Sequence, residues 1–125
     1  MKVGGGLSVA SSSVHGRGLF AARAFQAGQA LSVCPLLILS PDEVDALKAT
    51  QVYNYIFHVA DTPDGRMQAG VAFGPISLCN HSTVPNATFQ VNGAEGYVVL
   101  TSTRAIRAGE EILIDYGDFA ENVVT

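Results

Sequence analysis

Residues 15–22 read HGRGLFAA, and Gly16, Gly18 and Ala21 within them spell G-x-G-x-x-A, the spacing of a dinucleotide-binding loop. That fingerprint works between a strand and a helix, where the glycines let backbone approach a pyrophosphate and an acid about 20 positions on holds the ribose. Here the context fails. The run LFAARAF is broken after seven residues by Gln26-Ala27-Gly28, no acid occurs before Asp42, and no βα alternation follows. The stretch instead predicts a glycine-bracketed turn in a β-rich chain, where two positions without a side chain admit a close approach of backbone.

Outward from this turn, short β-rich runs alternate with turn signals. ALSVCPLLIL leads to SPDE, YNYIFHVA to DTPDG, MQAGVAF to GP, ATFQV to NGAEG, YVVLTST to RAGE and EILIDY to GD. Such spacing predicts hairpins and several small sheets, hence a mainly β fold. One helix is announced, over 41–50, by Ser40 as N-cap, Pro41 at its first position and Glu43 as capping-box partner. A second short helical turn is expected at ISLCNHS, between Gly74-Pro75 and Pro85. ARAFQAGQAL (22–31) and TRAIRAGEEI (103–112) echo one another, each a strand, a turn closed by Gly28 or Gly109, and a return strand. The echo reads as repeated turn chemistry without a catalytic role.

The 125 residues fit one domain: a loose start over 1–6, a body over 7–119 and a short tail over 120–125. With 48% hydrophobic and 14% charged residues, the composition is that of a folding chain. Seven basic against eleven acidic residues give no electrostatic footprint for nucleic acid. Five acids (Glu110, Glu111, Asp115, Asp118 and Glu121) crowd the last sixteen residues without a base among them, which suits a cationic partner. Cys34 and Cys79 lack zinc-like spacing, so no metal is expected. Apolar runs fall well short of the roughly 18 residues of a membrane span, and the N-terminus carries no convincing signal peptide, so a soluble, intracellular protein is expected.

Two further polar clusters carry chemistry. NHSTVPN (80–86) sets Asn80, His81 and Asn86 beside the apolar PISLC, where amide and imidazole groups need partners. EEILIDYG (110–117) is a strand that ends on Tyr116. Each alone is compatible with a self-satisfied loop or a core-edge tyrosine. A thiol hydrolase on Cys79 and His81 is disfavoured, because residues two apart face opposite ways on a strand and are not neighbours on a helix.

In combination and in this order, HGRGLFA, NHS-x-x-PN and EEILIDYG resemble the motifs of SET-domain protein lysine methyltransferases, over residues 14–119 and closest to minimal viral and bacterial members. The resemblance implies a SET fold, β-clip-like, with several small sheets, one or two short helices and a knot-like C-terminal segment threaded under the Asn80-His81 loop. It implies S-adenosylmethionine bound by Gly16, Arg17, Gly18, Leu19, Asn80, His81, Tyr116 and Phe119, with Tyr116 as the catalytic candidate. Tyr55, Phe89 and Tyr116 are the implied walls of a lysine channel, and phenylalanine at position 89 leans towards multiple methylation. The implied substrate is a basic protein, such as a histone tail or a ribosomal protein, bound as an extended strand at a sheet edge. The cell compartment follows the source: cytoplasm for a bacterial protein, a host nucleus for a viral protein or secreted effector. Departures from the family pattern are Ser77 and Thr83, where relatives carry arginine and cysteine, and the lack of a cysteine-rich zinc segment. Phe119 or the second subunit of a homodimer then becomes the expected lid. The alternative is a SET-fold module that binds cofactor or peptide without efficient turnover.

Overall fold

The computed structural model describes residues 1–117 and the backbone of Asp118, Val123 and Val124. Its strands are β1 (Lys2–Gly4), β2 (Leu7–Ser11), β3 (Arg17–Ala21), β4 (Ala30–Leu39), β5 (Ile56–Asp61), β6 (Met67–Ala72), β7 (Asn80–His81), β8 (Ala87–Asn92), β9 (Tyr97–Ser102), β10 (Glu111–Ile114) and β11 (Val123–Val124). A single α-helix among the described residues, α1 (Pro41–Leu47), and 3-10 turns at Gln51–Tyr55, Pro75–Leu78 and Tyr116–Asp118 complete the set. One sheet has the order β1-β2-β3-β10-β7, and the other β11-β8-β9-β4-β6-β5. Their inner faces share a core in which Leu19, Val91, Val98, Leu100 and Ile112 are fully buried.

The helix begins as the sequence predicts. Ser40 accepts from the backbone of Glu43, whose carboxylate accepts from Ser40 N at 2.9 Å. It ends three residues earlier than expected, because Thr50 turns both its N–H and its hydroxyl onto the Leu47 carbonyl at 2.8 and 2.7 Å. The expected second helical turn is confined to Pro75–Leu78, and Asn80 and His81 are extended. The reason is long-range. Asn80 and His81 pair in parallel with Leu113 and Ile114 of β10, which puts β10 between β3 and β7 and draws the C-terminal segment against the Asn80-His81 loop.

The sequence echo becomes a local two-fold relation. Phe25 and Ile106 occupy equivalent positions in the two copies, and they exchange both backbone hydrogen bonds at 2.8 and 2.9 Å. Gly28 N donates to Ser102 O at 2.9 Å, and Gly109 N to Ala21 O at 2.7 Å, again at matching positions. The hairpin β2–β3 corresponds to β8–β9, and the strand after each turn pairs across, β4 on β9 and β10 on β3. Both glycines have positive φ, +77° and +91°, where a side chain would be strained.

Candidate active site

The site grows from a polar hub at the start of β10. Glu111 accepts from the Ser12 hydroxyl at 2.7 and 2.9 Å, and Ser12 Oγ in turn accepts from the N–H groups of Val14 and His15. Asn80 Nδ2 donates to Glu111 Oε2 at 2.9 Å and to the carbonyls of His15 and Arg17, both at 3.0 Å. Three remote segments are thereby fixed around one carboxylate. Asn86, 2% exposed, acts as a substitute strand: its side chain donates to Glu111 O and accepts from Leu113 N, both at 2.8 Å.

This hub redefines the two glycines of the opening motif. A Cβ on Gly18 would stand 2.3 Å from Glu111 Oε2 and 3.1 Å from Asn80 Nδ2, so the missing side chain makes room for the chain's own network. Gly16 serves differently. Its φ of +48° turns the loop, and a Cβ there would meet nothing.

Two clefts meet beside the hub. The first, about 430 Å³, is walled by Tyr55, Phe57, Ile76, Met67 and Tyr116, with His58 and Asp61 at one side. The second, about 530 Å³, is bounded by His15, Gly16, Arg17, Leu78 and Asn80. Tyr116, Tyr55, Asn54, Ser77 and Cys79 belong to both, so these residues form their junction. Both volumes lie within the range of small-molecule sites.

Tyr116 is fixed at this junction from two directions. Its hydroxyl donates to the Cys79 carbonyl at 2.5 Å, and its N–H donates to His81 Nδ1 at 2.9 Å, with the two rings 5.1 Å apart. Burial, reinforced by the neighbouring Cys79 and Tyr55, raises the phenol above its ordinary value. Tyr116 is therefore a neutral hydroxyl at physiological pH, a donor and acceptor rather than a base. His81 Nδ1 thus serves as the acceptor that fixes the Tyr116 backbone. Burial drives the Cys79 thiol far above its usual range, which removes the thiolate that a hydrolase would need.

The remaining expected site residues fall into three groups. Gly16, Arg17, Asn80, Tyr55 and Tyr116 line one or both clefts. Gly18, Leu19, His81 and Phe89 line neither: Leu19 is wholly buried in β3, His81 supports Tyr116, and Phe89, 1% exposed, packs edge-on against Phe57 of the first cleft. Phe119 lies outside the described residues. Of the C-terminal acids, three are engaged within the chain: Glu110 pairs with Arg104, Glu111 holds the hub, and Asp115 accepts from Gly117 N. Sequence reasoning missed Glu111 as the partner of both Asn80 and Ser12. The signal was available only in retrospect, as an unpaired acid in an otherwise apolar strand.

The family model for the SET domain matches residues 16–117. A histone-lysine N-methyltransferase of Schizosaccharomyces pombe, H3 lysine-37 specific, is 29% identical over 112 residues, covering 90% of this chain and 74% of that protein. Among solved structures, a Plasmodium falciparum protein described as a candidate histone methyltransferase superposes with a TM-score of 0.69 at 20% identity, over 92% of this chain and 96% of that one. A humanized mutant of the Chaetomium thermophilum Polycomb Repressive Complex 2 gives 0.68 at 23% identity, over 90% of this chain and 15% of that one. That family model spans most of the chain, and the chain belongs to the SET domain family.

Proposed function

We propose that the protein is an S-adenosylmethionine-dependent protein-lysine N-methyltransferase acting on a basic protein such as a histone tail or a ribosomal protein. The observation that carries this reading is the meeting of two clefts at one tyrosine, as a two-substrate transfer between a cofactor and a side chain requires. The second cleft suits the cofactor. Arg17 offers a cation to a carboxylate, and Asn80, whose amide nitrogen is already engaged three times, has its amide oxygen left to accept from an ammonium. When bound, S-adenosylmethionine supplies a methyl group on a sulfonium.

The chain's own residues then do three things. The aromatic and aliphatic walls of the first cleft align a lysine side chain and exclude water, and alignment of this kind is the main source of acceleration in an in-line displacement. Desolvation there lowers the amine's pKa from about 10.4, favouring the neutral nucleophile. The Tyr116 oxygen, with its proton held by Cys79 O, presents lone pairs at the junction that orient the amine. Room for added methyls is set by Tyr55, Phe57, Ile76 and Tyr116, since Phe89 stands outside the cleft.

Incubation with methyl-labelled S-adenosylmethionine and histones or ribosomal proteins tests the reading. Label on a lysine, mapped by mass spectrometry, is the expected result. Cofactor binding without any transfer would favour the non-catalytic module, for which the 42% exposure of Tyr116 is the supporting feature.

A further inference from the structure

The larger sheet turns one face to the core, and its outer face is covered at one end only. Along β4 the outward positions are Val33, Pro35, Leu37 and Leu39, by the alternation of a strand. Leu39 is buried, because Val44 and Leu47 of α1 pack over it and over its β6 partner Ala69. Beyond the helix the cover stops. Among the described residues nothing shields the rest of the row: Val33 is 62% exposed, Leu37 52%, and Pro35 between them is exposed as well.

The neighbouring strands widen this row into a face. Val99 and Tyr97 of β9 pair with Val33 and Pro35, and Val71 of β6 pairs with Leu37, so all of these point outward together. Phe73, just past β6, donates its N–H to Pro35 O at 2.9 Å and is 60% exposed. At ordinary strand spacing and rise the face covers roughly 300 Å², the size of an apolar patch that is often functional on a monomer.

Its chemistry selects the occupant. β8, β9, β4 and β6 lie side by side and carry no charged residue at any position. At the β8 margin the face becomes polar without becoming charged, through the outward Thr88, Gln90 and Asn92. A basic or acidic partner finds nothing here to pair with. Two copies of this chain, each with a net charge of −4, repel one another in general but meet without a like-charge contact on this face. An apolar centre inside a polar rim is also the anatomy of a protein interface.

We propose that this face joins two copies of the chain, outer sheet against outer sheet, as a weak two-fold dimer. In a two-fold pairing the same patch meets itself, so an uncharged apolar face is its own complement. Sheets packed in this way lie about 10 Å apart with their side chains interdigitated. Two such faces with their rims bury on the order of 1,000 Å², the low end for specific association, so the dimer dissociates at micromolar concentration or above. The face borders neither cleft, so this pairing is distinct from a lid supplied by a second subunit and stands apart from the methyltransferase reading.

Sedimentation velocity of the purified chain from about 5 to 500 μM, the range of a weak interface, tests the dimer. The expected result is a shift from monomer to dimer as concentration rises. Concentrated salt should favour the dimer, because it screens the repulsion between the two net charges. Leu37→Asp and Phe73→Asp each set a carboxylate on both sides of the pairing and should raise the midpoint concentration at least about tenfold. Both positions are more than half exposed, so the variants should fold, as circular dichroism would check. A chain that stays monomeric throughout would overturn the proposal, as would a dimer that neither substitution weakens or that salt dissolves. Growth beyond the dimer would overturn the closed two-fold arrangement.

Discussion

Two polar regions of this molecule are built from similar groups to different effect. Around Glu111, a carboxylate, an amide and a hydroxyl from segments up to 99 residues apart close on one another in a partly buried setting. Around Arg66, a guanidinium meets Asp42 and Asp45 at 2.6 and 2.7 Å, but Asp42 is 87% exposed and all three groups face water. The shorter contacts are the weaker. Water competes for the Arg66 bonds and salt screens them, whereas each hub group that loses its partner is left unsatisfied in the interior. The hub defines a cleft wall; the Arg66 cluster ties α1 to the β5–β6 hairpin.

The hub breaks most severely at its tightest point. Gly18→Ala forces a Cβ into Glu111 Oε2 and should destabilise by about 3 kcal/mol, read by denaturant unfolding, with cofactor affinity falling alongside. Tyr116→Phe removes the junction hydroxyl and should lower kcat about a hundredfold while stability changes by no more than about 1 kcal/mol. Unchanged turnover would remove Tyr116 from the chemistry. Glu111→Gln keeps the shape but puts a donor in place of one of the two oxygens that accept from Ser12 and Asn80, and should cost about 1–2 kcal/mol. Arg66→Ala should cost less than about 1 kcal/mol and nothing measurable in concentrated salt.

A pH profile sharpens the same contrast between buried and exposed groups. Burial raises the Cys79 thiol in the folded chain, so above pH 9 the unfolded chain loses this proton first and binds fewer protons than the native state. Its contribution is present below the unfolded pKa and is lost as pH rises. Stability should therefore fall on the alkaline side, and more gently in Cys79→Ala, as equilibrium unfolding across alkaline buffers would show.

What could be read from the sequence follows the range of the interactions. The N-terminus of α1 was legible because Ser40, Pro41 and Glu43 act on one another locally. The mainly β character was legible in the turn signals, and three motifs needed together pointed to Gly16, Asn80 and Tyr116, which border the clefts. The extended Asn80-His81 pair was missed because only β10, more than 30 residues on, makes it a strand. Phe89 went to the core for a comparable reason: in the alternation of β8 its position faces inward, between buried Ala87 and Val91.

The crosswise exchange of β4 and β10 between the two related hairpins bears on how the chain reaches this state. Neither half can complete its own three-stranded unit from its own residues, so the first hairpin waits on a strand encoded some 90 residues later. Loop closure of that length precedes the contacts that reward it, which makes folding slow for a chain of this size and ties it to the arrival of the C-terminal segment. The same segment carries Tyr116. A nascent chain thus lacks the tyrosine at which the two clefts meet until this segment has been made.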